Sequence, residues 1–162
     1  IELHLKFNPD DPNGYLYKGN TLTRLGRDEE GLEQTEIAYE KDALNQSVQL
    51  DLMELYILNN KLEESENFYY KVIQNNKERK INPTGRHQAL MNYLLITSLN
   101  LQNKKYKKPH KKLNKLMNAG VVIDRWSYNS YTDWLEKSNY SEASKLFLVE
   151  LTNEMKASNN QS

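Results

Sequence analysis

The sequence predicts an all-α chain of repeated helix–turn–helix units, and three observations carry that prediction. Gly and Pro are scarce, at 6 and 4 of 162 residues, while polar helix formers are plentiful. The stretch Gly26-Arg27-Asp28-Glu29-Glu30-Gly31-Leu32 is echoed without gaps, 34 residues later, by Asn60-Lys61-Leu62-Glu63-Glu64-Ser65-Glu66. The frame returns as Lys105-Tyr106-Lys107-Lys108-Pro109-His110-Lys111-Lys112-Leu113 and as Asn139-Tyr140-Ser141-Glu142-Ala143-Ser144-Lys145-Leu146-Phe147. Taking Gly31, Ser65, Pro109 and Ala143 as equivalent gives spacings of 34, 44 and 34 residues. Repetition at a period of this size marks stacked supersecondary units that cannot bury their apolar faces alone.

Each element follows in order. Residues 1–9 read as a partial helix ending at Asn8-Pro9. Residues 12–45 form the first unit and 46–79 the second. In each, a short turn leads into paired acids, Glu29-Glu30 and Glu63-Glu64, which suit the positive end of a helix dipole. The middle interval is longer by about ten residues between Gln74 and Gln88. They are assigned to an insertion at 80–89 that carries the turn signal Asn82-Pro83-Thr84-Gly85. The third unit covers 90–121, and its second helix must begin close to Pro109, because proline belongs to the first turn. The fourth covers 122–157, and the polar tail 158–162 is expected to fray.

These units resemble the tetratricopeptide repeat family, whose repeats are helix–turn–helix pairs of 34 residues. In the first unit Tyr15, Gly19, Leu22, Gly26, Gly31 and Ala38 match that motif; in the second Tyr56, Leu62, Ser65, Tyr69 and Val72; in the fourth Trp134, Tyr140, Ala143 and Phe147. Met53 and Tyr131 replace the small residue of the first helix, so those hairpins are expected to pack less closely. Pro9 falls where the family's terminal proline would close a preceding repeat. The chain is therefore expected to be a fragment of a longer array or multidomain protein. The resemblance implies a right-handed α-solenoid of four hairpins plus a partial N-terminal helix, with first helices lining a concave face.

That register implies a partner-binding groove of Asn13, Leu16, Tyr17, Asn20 and Arg24, then Asp51, Glu54 and Leu58, then Tyr128, Asn129 and Thr132. Asn amides bond an extended backbone as donor and acceptor together, and Tyr offers a rigid face with a polar tip. Some relatives clamp a C-terminal carboxylate with Lys and Asn. Gly19-Asn20 matches, but Leu16, Asp51, Met91 and Leu95 stand where such a clamp needs Lys, Asn and basic groups. A carboxylate clamp is therefore rejected. The expected function is non-catalytic binding of a protein or peptide segment, which includes another subunit or domain of the same assembly.

The 22 basic and 22 acidic side chains cancel, which excludes a uniformly basic nucleic-acid binder. They are not evenly spread: residues 1–73 carry 7 basic and 15 acidic groups, residues 74–115 carry 11 basic and one acidic. The basic block includes Lys77, Arg79, Lys80 and Arg86 and the patch Lys104, Lys105, Lys107, Lys108, Lys111, Lys112 and Lys115, with Tyr106 and His110 interleaved. Three readings stand for it: a solvated surface, a contact for an acidic protein, or a contact for a nucleic acid, polyanionic polysaccharide or anionic lipid. The second functional reading is accordingly a polymer-recognition module using Tyr-rich faces and the lysines, and the third a structural spacer in a multidomain protein.

No catalytic residues, metal ligands or cofactors are assigned. His4, His87 and His110 lack metal-type spacing, and neither a phosphate-cradling Gly-rich loop nor a nucleophile elbow is present. The absence of cysteine excludes a disulfide framework, a thiol nucleophile and cysteine-ligated metal. It fits a cytoplasmic or an extracytoplasmic compartment, with the cytoplasm slightly preferred. No apolar run approaches the roughly 18–20 residues of a membrane helix, so no membrane insertion is expected.

Overall fold

The computed structural model describes residues 1–123 and 128–158, the side chains of 128–130 and 158 excepted. Among these residues every regular element is an α-helix: α1 (Glu2–Phe7), α2 (Pro12–Arg24), α3 (Asp28–Lys41), α4 (Gln46–Leu58), α5 (Leu62–Glu78), α6 (Gly85–Leu101), α7 (Lys107–Asn118), α8 (Tyr128–Lys137) and α9 (Glu142–Ser158). They fall into two compact units, Ile1–Gln74 and Asn75–Ser162, divided within α5. No helix of the described residues is long and apolar enough to cross a membrane.

In the first unit, α2 opens with Asp11, whose carboxylate accepts from the Asn13 N–H, and with Pro12 at the first helical position. Both satisfy the needs of a helix start. α2 and α3 then meet backbone to backbone. A Cβ at Gly19 would lie 2.9 Å from the Gly31 carbonyl oxygen, and one at Gly31 would lie 3.1 Å from that of Gly19. Thr23 and Thr35 turn their hydroxyls back onto the Gly19 and Gly31 carbonyls, at 3.1 and 2.9 Å. One period later the crossing recurs in other chemistry: Ser65 donates its hydroxyl to the Met53 carbonyl at 3.2 Å. The bulky Met53 is fully buried there, so α4 and α5 join through a side chain rather than through bare backbone.

The turns repeat as well. Gly26 and Asn60 both adopt positive φ, at 74° and 57°, a conformation that glycine and asparagine tolerate best. Beside them the Arg27 N–H bonds the Leu22 carbonyl and the Lys61 N–H bonds the Tyr56 carbonyl, which closes each first helix in the same manner. The core between the helices holds Leu16, Ala38 and Val48, flanked by Tyr15 and Tyr39. Phe68 extends it, edge-on to Tyr39 and Tyr56 at 5.0 and 6.0 Å. α1 seats Leu5 against Gly14, where any side chain would collide with it.

The second unit is built around α6. Thr84 caps it by accepting from the His87 N–H, and every side chain from Ala89 to Leu99 is buried. A helix without a polar stripe is a central one. The turn after α6 repeats those after α2 and α4: Asn103 has φ 56° and the Lys104 N–H bonds the Leu99 carbonyl. Pro109 lies in the first turn of α7, where its missing N–H has no helical acceptor to lose. The assigned insertion 80–89 divides here: residues 79–84 form the connector, and 85–89 are the opening of α6. The extra length of the middle interval thus goes largely into longer helices, 17 residues each for α5 and α6 against 13 or 14 for α2 to α4.

Hydroxyls tie α8 and α9 to α6. The Tyr131 OH donates to Thr97 Oγ1 at 3.1 Å, and Thr97 in turn donates to the Tyr93 carbonyl. The Tyr93 OH meets Thr152 Oγ1 at 2.7 Å, and Thr152 donates to the Leu148 carbonyl. The Tyr93 and Tyr131 rings stand edge to face at 5.7 Å. In α9 the small buried residue is Ser144, while Ala143 is exposed. The buried small residue thus falls one position after Ala143, where the repeat frame expects it.

Candidate functional site

Two surfaces stand out, one in each unit. On α2, Tyr17, Asn20 and Arg24 follow at i, i+3 and i+7, so they share one helix face. Asp51 and Glu54 share a face of α4 in the same way. The two helices are joined there by Asn20, whose Nδ2 donates to Asp51 Oδ2 at 3.0 Å. The Asn20 Oδ1 has no donor among the described residues. Tyr17 and Arg24 are exposed, and Asn20, Asp51 and Glu54 are half-buried. Asn13 is exposed in the first turn of α2.

Leu16 and Leu58 do not belong to this surface. They are only 5% and 8% exposed, and Leu16 packs on Ala38 and Val48. Burying these apolar chains against the neighbouring helix outweighs the register that placed them in the groove. Thr132 is half-buried on α8 in the other unit. Tyr128 and Asn129 start α8, and their side chains lie outside the described residues.

Near the start of α2, His4 Nε2 and Asp11 Oδ2 lie 2.7 Å apart. They border an open cavity of about 270 Å³ that Ile1, Gly14 and Tyr17 also line. The bond to His4, with the Asn13 N–H, holds the Asp11 carboxyl below its usual pKa. Asp11 is already committed as the cap of α2, so the pair reads as a structural clasp. No group of three or more potential metal ligands occurs among the described residues.

The second surface is α7. Lys107, Lys108, Lys111, Lys112 and Lys115 fall within an arc of about 140° on the helical wheel. All are exposed, while Pro109 and Leu113 are buried on the opposite side. Lys104 and Lys105 are exposed in the preceding turn. Among the described residues, none of Lys105, Lys107, Lys108, Lys111, Lys112 and Lys115 takes part in an ion pair. α6, which packs against α7, contains no acidic residue. Tyr106 and His110 pack with Phe147 of α9, with Tyr106 and Phe147 ring centroids 4.8 Å apart. Those half-buried rings anchor α7 and are engaged with one another.

Two buried features escaped the sequence reading. His87 is 3% exposed and neither ring nitrogen has a partner. Burial, with Arg86 nearby, lowers its pKa to about 4. The Tyr93, Thr97, Tyr131 and Thr152 network joins residues far apart in the chain. Only the Thr97–Tyr131 spacing of 34 residues carried a signal that could have found part of it. Set against known protein families, curated proteins and solved structures, the chain matches none.

Proposed function

We propose that this chain is a non-catalytic interaction module of the tetratricopeptide kind, four hairpins stacked as a right-handed solenoid. It binds a protein or peptide segment on the face of its first helices. The observation that supports this reading is the recurrence of one helix crossing and one turn at a 34-residue interval. Gly19 with Gly31 and Met53 with Ser65 occupy equivalent crossings, and Gly26 and Asn60 equivalent turns. The Asn20–Asp51 bond brings the two first helices together and leaves an amide oxygen to accept from a partner's backbone N–H. Tyr17 and Arg24 flank it, residue types that commonly anchor interfaces.

The experiment is affinity capture from extracts of the native source at low and moderate salt, with nuclease present. The parent chain is compared with the Asn20→Ala, Arg24→Ala double variant. The expected outcome is a defined protein recovered at both salts by the parent and reduced about tenfold or more with the variant. Equal recovery by both chains defeats the assignment of this face. The polymer-recognition reading is favoured separately by the unpaired lysines of α7.

A further inference from the structure

We infer that the lysine face of α7 is a docking surface for the phosphate backbone of a nucleic-acid duplex, held without regard to base sequence. This rests on α7 and its neighbours alone, and stands or falls independently of the α2 and α4 face.

The first argument is local. Lys107 and Lys108 occupy the first turn of α7, where the helix dipole is already positive, and no acid accompanies them. Each such cation there is unfavourable. The pairs 107 with 111, 108 with 112 and 111 with 115 add like-charge repulsion at i,i+4. Neither the described ion pairs nor the acid-free α6 relieves it. An external anion would.

The second argument selects the anion by magnitude. Rim ion pairs between folded proteins are individually weak, and a handful of them does not offset the freedom lost on association. A protein partner therefore needs an apolar centre, and the α7 arc has none: its apolar groups, Pro109 and Leu113, face inward. A duplex is different, since each phosphate neutralised releases condensed counterions, which drives binding by lysine alone. The residue types refine the choice. The face holds ammonium groups rather than guanidinium forks, so it lacks the bidentate donors that read base edges. Its nearby rings, Tyr106, His110 and Phe147, are packed on each other and offer no open platform for unstacked bases. Backbone contact to a duplex remains.

The test is fluorescence anisotropy of a labelled random-sequence 25-base-pair DNA duplex titrated with the full chain from 25 to 200 mM salt. Five lysine contacts predict a log–log salt slope of about −4 to −5. Lys107→Gln, Lys111→Gln and Lys115→Gln together should weaken binding at least tenfold at 50 mM salt and reduce the slope to about −2. The exposed control set Lys6→Gln, Lys61→Gln and Lys137→Gln removes the same charge and should leave the slope intact. Circular dichroism checks that both variants fold alike. The inference is overturned by no binding at 50 mM salt, by equal loss in the control set, or by tighter binding of poly-glutamate or heparin than of the duplex.

Discussion

In the proposed repeat frame α3 and α7 are the second helices of the first and third hairpins, and they are made in opposite ways. α3 starts Asp28-Glu29-Glu30, matched to its dipole, and closes on α2 through Gly31, with its backbone against Gly19. α7 starts Lys107-Lys108, against its dipole, and has Pro109 where α3 has Gly31. The first helix is optimised for being a helix. The second accepts unfavourable local electrostatics and holds its place through Leu113 and the Tyr106–Phe147 contact. The same scaffold can therefore give one hairpin to close packing and another to a charged surface, provided that tertiary contacts supply the difference.

The comparison breaks most visibly at the glycine crossing. Gly31→Leu should destabilise the chain by about 3 kcal/mol, because its side chain is driven into the Gly19 carbonyl and Thr23. Pro109→Ala, at the corresponding place, should change stability by less than about 1 kcal/mol. Denaturant melts of the two variants measure the contrast, and equal losses would remove it.

Next comes pH. The unfolded chain protonates His87 below about 6.5, while the buried imidazole resists until about 4. Stability should therefore rise from pH 4 to 6.5, be fully present above that, and be lost as pH falls. The span is on the order of 3 kcal/mol. His87→Leu should flatten it in urea melts taken across this range.

A smaller effect, about 1 kcal/mol, is expected from Tyr131→Phe, which removes the hydroxyl that bonds Thr97. Thermal melts should show it, and a null result would mean that ring packing alone holds α8 on α6. The smallest effects sharpen the opening contrast. Lys107→Glu should stabilise, and Glu29→Lys destabilise, by about 0.5 kcal/mol each. Of the two, only Lys107→Glu should weaken duplex binding.

Much of the fold was legible because its signals are local. The short turns at Gly26 and Asn60 adopt positive φ, and the paired acids Glu29-Glu30 and Glu63-Glu64 lie in the first turns of α3 and α5. The lysine face of α7 was legible for the same reason, since i, i+1, i+4, i+5 and i+8 must share one side of any helix. The α2 and α4 surface was legible only in part. Asn20 and Asp51 do meet, but Leu16 and Leu58 belong to the core. A leucine on a helix carries no local mark of whether a neighbour will cover it.

The sequence by itself therefore determined the helices, their period, their turns and the segregation of charge, all set by interactions within a few residues along the chain. Tertiary structure alone decided burial. It enclosed α6 so completely that no amphipathic stripe remained to reveal its register. It turned Ser144 rather than Ala143 inward, left the His87 nitrogens unpartnered, and joined Tyr93 to Thr152 across 59 residues. Burial depends on which surfaces meet, and contacts of such long sequence separation leave no mark within a few residues of either partner.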